Sequence, residues 1–148
     1  MLPMPVSGRI LRSFGAGDGP NAARGLTIAT QPKAIVSAPA DAWVAYAGPY
    51  RSFGQLLILN AGGGYYLVLS GLKRIDVTLG QFVLTGEPVG AMGDTAEAAL
   101  LIGQAANGEE MQRAGAEGPA LYVEFRKDGS PIDPGPWWAK QEDRKVRG

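Results

Sequence analysis

The chain has 148 residues, 45% of them apolar, and a formal net charge of zero, which fits one domain with an ordinary core and leaves no basic surplus for nucleic acid or an anionic membrane. It contains neither cysteine nor histidine, which excludes disulfides, thiolate nucleophiles, zinc sites built on those residues, and the commonest general base near neutral pH. No apolar run approaches the ~20 residues of a membrane helix, so no membrane insertion of this domain is expected, and no charged-then-apolar start marks a signal peptide.

Glycines and prolines punctuate short apolar segments along the whole chain, the pattern of an all-β domain with many tight turns. The predicted strands are Ile10 to Phe14, Gly25 to Ala29, Ala34 to Ser37, Trp43 to Ala47, Gln55 to Leu59, Tyr65 to Ser70, Gln81 to Val83 and Leu121 to Phe125. Two of these flank Asn60 to Gly64, whose glycines can take positive φ, and this predicts a hairpin. In VTLGQFVLTGEPVGAMG a short apolar strand followed by a glycine turn recurs, at Gly80, Gly86, Gly90 and Gly93, as in a small, strongly coiled barrel or sandwich. The rhythm breaks at 94–117. Asp94 and Glu97 stand in capping-box spacing, and Ala98, Leu101 and Ile102 form an apolar stripe, so a short helix is predicted at 95–105, with an acidic loop after it. In the last predicted strand Leu121, Val123 and Phe125 share one face, and Ala120, Tyr122, Glu124 and Arg126 the other. Trp137 and Trp138 are expected to pin the C-terminal segment to the barrel, and the charged tail 139–148 is expected to be disordered.

From Leu2 to Trp138 the order of segments resembles the LytM (lysostaphin-like) zinc peptidase domain, and in particular its degenerate branch, the EnvC-type murein hydrolase activators. LPMPVSGRILRSFG is similar to the family's opening strand, and ARGLTIAT to the segment carrying H-x-G-x-D. SAPADAWVAYAGPYRSFGQLLILNAGGGYYLVLSGL resembles the run that ends in aromatic-x-His-Leu, and GPALYVEFRKDGSPIDPGPWW resembles the strand G-x-H-L-H-F-E-x-R with its following Asp-Pro. The implied fold is a small LytM-like antiparallel sheet or barrel-sandwich spanning 2–138, with one helical insertion. The resemblance places the zinc ligands at Ala23, Thr27 and Tyr122, and the two histidines that activate water or stabilise the transition state at Gly71 and Ala120. Methyl, hydroxyl and phenol groups cannot replace two imidazoles and a carboxylate around zinc at neutral pH. Without the metal, water keeps its ordinary pKa, far above neutrality, instead of one of ~7. No cofactor and no peptidase activity are therefore expected.

What the resemblance implies instead is a non-catalytic activator of periplasmic N-acetylmuramyl-L-alanine amidases. It would bind the amidase through the vestigial groove and relieve autoinhibition while septal cell wall is split. The expected groove floor is an open trough of Thr27, Gly71, Ala120 and Tyr122, with partner contacts from Arg24, Thr27, Phe53, Tyr122 and Arg126. Relatives of this type carry a signal peptide and a coiled coil upstream, so the chain is expected to be a fragment of a periplasmic protein. Three alternatives stand beside this reading. Peptidoglycan could bind directly in the same groove. A hydrolase could work through Asp41, Asp76, Glu87 or Glu124, although no two of these form an acid/base motif. A carrier domain would need a lysine at a hairpin turn, and Lys73 precedes the hairpin without a Met-Lys context.

Overall fold

β-Rich runs closed by glycine turns become strands throughout residues 2–17, 19, 22–50, 54–94 and 118–138, which are those described in a computed structural model. In chain order they are β1 (Arg9–Arg12), β2 (Leu26–Ala29), β3 (Ile35–Ser37), β4 (Ala42–Pro49), β5 (Gln55–Gly62), β6 (Tyr65–Leu72), β7 (Arg74–Ile75), β8 (Phe82–Val83), β9 (Pro88–Ala91), β10 (Ala120–Lys127) and β11 (Ser130–Ile132). An eight-stranded antiparallel sheet runs β1-β2-β10-β6-β5-β4-β8, with β11 paired to β10, and a three-stranded sheet runs β3-β9-β7. The all-β architecture expected from the glycine punctuation is thus formed.

The β5–β6 hairpin closes through Gly62, Gly63 and Gly64, all at positive φ, while the Asn60 side-chain oxygen accepts the Gly62 N–H at 2.9 Å. This turn sets the register that pairs Leu57 with Leu69 and Leu59 with Leu67. Together with Leu121, Val123, Leu26 and Val44 those side chains form the buried face of the large sheet, and Val36, Val83 and Val89 join them from the surrounding strands. Burying an aliphatic side chain of this size is worth roughly 1.5–3 kcal/mol, so this face supplies the main driving force of the fold.

The C-terminal anchor is also built as the tryptophans imply. Trp138 is buried and meets Phe125 edge-on at 4.9 Å, and the Leu2 N–H donates to the Trp137 carbonyl at 2.6 Å. Trp137, half-exposed, meets Tyr65 edge-on at 5.8 Å. The predicted helix at 95–105, the rest of the 95–117 insertion, the tail 139–148 and Phe53 lie outside the described residues.

Candidate functional site

Strand alternation places Ala120, Tyr122, Glu124 and Arg126 on the face of β10 that points away from the core, and neighbouring strands complete that face. Tyr122 lies opposite Thr27 of β2 on one side and Ser70 of β6 on the other, and Ala120 lies opposite Ala29. Gly71 follows Ser70 with φ of 103°, a conformation that side-chain-bearing residues rarely adopt. Ala23 is fixed by the β1–β2 connection. Its carbonyl accepts the Gly15 N–H at 2.7 Å, and its N–H donates to the Ala16 carbonyl at 2.8 Å.

The expected open trough does not form. Tyr122, Ala120, Ala23 and Thr27 are 0%, 1%, 2% and 4% exposed, so these positions are enclosed. The tip of the Tyr122 ring packs on Gly25, where even a methyl group would sit 2.9 Å from the phenol oxygen. The phenol then donates to Glu124 Oε2 at 2.6 Å. Arg126 completes the cluster by donating to Glu124 Oε1 and, at 2.7 Å, to the Gly129 carbonyl. A buried carboxylate is tolerated only with such partners. Burial pushes the Tyr122 phenol pKa well up, the bond to Glu124 and its charge push the same way, and Arg24 and Arg126 offset part of the effect. Of the expected partner contacts, Thr27 and Tyr122 are therefore enclosed, Arg24 is exposed and Arg126 is partly so.

The donor set does not fit zinc. None of Ala23, Thr27 and Tyr122 offers an imidazole or carboxylate, and the phenol is held as a donor to Glu124. Among the described residues no three His, Cys, Asp or Glu side chains come together as a metal site. The carboxylates of the hydrolase alternative are engaged in local structure. Asp41 accepts the Thr85 N–H at 2.7 Å and its hydroxyl at 2.9 Å, and these bonds lower its pKa. Asp76 is held by Arg74 at 2.8 Å, which lowers its pKa as well.

Three features of this site escaped the sequence reading. Glu124 is the hub of the cluster. Gly25 is the seat of the Tyr122 ring. Ser70 presents a buried hydroxyl with no hydrogen-bond partner among the described residues. Alternation alone put Glu124 beside Tyr122 and Arg126, which was the available signal for the first. The other two depend on strand register.

Comparison with known proteins adds three findings. The description Peptidase family M23 matches residues 21–134, more than half of the chain. A lipoprotein NlpD/LppB homolog of Pseudomonas aeruginosa is 28% identical over 131 residues, covering 88% of this chain and 37% of that protein. The murein hydrolase activator NlpD of Escherichia coli is 27% identical over 131 residues, covering 88% of this chain and 29% of that protein. The chain thus spans well under half the length of these relatives. Among solved structures, Helicobacter pylori Csd3 superposes with a TM-score of 0.72 over 99% of this chain and 39% of that one, at 19% identity, a likeness of fold.

Proposed function

This chain belongs to peptidase family M23, and on that premise we propose that it is a non-catalytic activator of a periplasmic cell-wall amidase, acting while septal peptidoglycan is split. One observation carries the reading: Tyr122, which the resemblance sets at a zinc-ligand position, is held with Glu124 and Arg126 in a hydrogen-bonded cluster, and the described residues bring together no metal-ligand set. A surface whose described residues present neither a metal-ligand set nor an open cleft is suited to holding another protein. The similarity to proteins named murein hydrolase activators supports the same conclusion.

The enclosed cluster changes how the partner would be held. Arg24 and Arg126, at the rim, make the contact, while Thr27 and Tyr122 support them from beneath. Activation is then a population shift, because the domain binds the open amidase better than the autoinhibited one. A nearly complete switch requires a preference of about 5.5 kcal/mol.

The test mixes the domain with candidate amidases and follows dye release from labelled peptidoglycan. The expected result is no release by the domain alone and stimulated release with the cognate amidase. Arg24→Glu should reduce stimulation at least about tenfold, as an interface arginine does, without changing the melting temperature. Metal-dependent release by the domain alone would overturn the proposal.

A further inference from the structure

The three-stranded sheet β3-β9-β7 bears a cavity of about 360 Å³. Small-molecule sites span roughly 300–1,000 Å³, so this one suits a small ligand. Its floor includes Ala91 of β9 and the following Gly93, both buried. Opposed residues of a sheet share a face, and Ala91 lies between Ile35 of β3 and Arg74 of β7. A small side chain at the centre, flanked by two long ones, leaves the hollow.

Two lysines are fixed at the rim from opposite sides of the same strand. The Lys33 N–H donates to the Gly93 carbonyl and the Lys73 N–H to the Ala91 carbonyl, both at 2.9 Å. The segments on either side of β9 lie about 10 Å apart, a gap that two lysine stems can close on one ligand. The Lys73 stem is seated on Gly93, where a methyl group would stand 3.3 Å from the Lys73 Cβ. Lys33 holds a left-handed backbone with φ of 63°, strain of a kind that gathers at ligand sites.

Neither lysine makes an ion pair among the described residues. Arg74 does, its Nε and Nη2 donating to the two Asp76 oxygens at 2.8 and 3.1 Å. Asp94 is the one carboxylate among the described residues that line the cavity. This pattern selects the ligand. A carboxylate is read best by a free guanidinium fork, and the fork here is committed to Asp76. Two ammonium groups are point charges, which suit the spread charge of a phosphate. Inorganic phosphate would leave the 53% exposed Ile35 uncovered. We infer that the cavity binds a phosphate monoester, its phosphoryl oxygens between Lys33 and Lys73 and a short apolar ester group against Ile35. The site shares no residue with the Tyr122 cluster or with Arg24, and it does not depend on the amidase reading.

The test titrates the full chain with hexyl phosphate, followed by amide NMR shifts, beside inorganic phosphate, hexanoate and vesicles containing phosphatidic acid. Saturable shifts at the Lys33, Lys73 and Gly93 amides are expected with hexyl phosphate, and weaker binding of inorganic phosphate and hexanoate. Lys73→Met keeps the stem on Gly93 and removes the charge. Lys33→Asn removes the charge with a residue that accepts the left-handed backbone. Each should weaken binding about tenfold, the size of a lost charge-assisted hydrogen bond, without lowering the melting temperature. Asp94→Asn should tighten binding about threefold by removing a repulsion. Lys127→Met, which removes one positive charge elsewhere, should leave it intact. Sedimentation with the vesicles, reversed by hexyl phosphate, would identify a lipid headgroup as the source, and binding of the soluble ester alone a soluble metabolite; either supports the inference. Absence of saturable binding, wild-type binding by both lysine variants, or hexanoate bound as tightly as hexyl phosphate would overturn it.

Discussion

Tyr122 is a neutral phenol held between a buried carboxylate and a glycine, and its raised pKa has a definite consequence for stability. In the unfolded chain the phenol loses its proton near its ordinary value of 10.0, while in the folded chain it keeps it. The native state then binds more protons, so stability is unaffected below that pH and falls as pH rises through it, by about 1.4 kcal/mol per unit. Urea denaturation across an alkaline series should show this slope in the wild type and lose it in Tyr122→Phe. An equal slope in both would mean another group is responsible. At neutral pH the same variant leaves Glu124 without one donor and should cost about 1–3 kcal/mol. Gly25→Ala is more severe, because its methyl group would collide with the Val123 carbonyl oxygen as well as the ring. A loss of about 3 kcal/mol or more is expected, read from the same denaturation curves.

Where whole elements are concerned, the two tryptophans separate cleanly. Trp138 is buried against Phe125, whereas Trp137 lies half in solvent beside Tyr65. Trp138→Ala should cost about 3–5 kcal/mol, and Trp137→Ala much less. Equal losses in thermal melts would show that the aromatic anchor depends on both. The strands themselves were largely legible. All eight expected segments contain a strand, because alternation such as Leu57, Leu59 and Leu67, Leu69 states which face is buried. The short β7, β9 and β11 were not among those eight, although the glycine-punctuated repeat ran through β9. Two residues carry no periodicity, and Pro131 argues against a strand until β10 is there to pair with it.

For the molecule as a whole, the lack of a metal-ligand set among the described residues makes a simple prediction. Adding zinc should not raise the melting temperature, because only a ligand that binds the native state stabilises it. A concentration-dependent rise would point to a metal site that the described residues lack. The candidate site was half legible. Sequence placed Tyr122, Glu124 and Arg126 on one face, but the polarity of that face invited the expectation of an open surface. Burial there depends on what neighbouring segments lay over it, and alternation within one strand carries no such information. Removing Tyr122 and Arg126 together, which a merely solvent-facing pair would tolerate, should therefore destabilise the fold by stripping both partners from Glu124.

The seat of Tyr122 on Gly25 also bears on reversibility. A histidine placed at 122 alone, where the resemblance sets a zinc ligand, would empty space beside Gly25 and remove the donor to Glu124, yet one imidazole cannot hold zinc. A histidine at 71 would have to accept a backbone conformation that suits glycine. Each single step back toward a metal centre thus lowers stability before any metal can repay it. The packing around Gly25 and Gly71 sets a stability barrier in front of any metal centre built at these positions one substitution at a time.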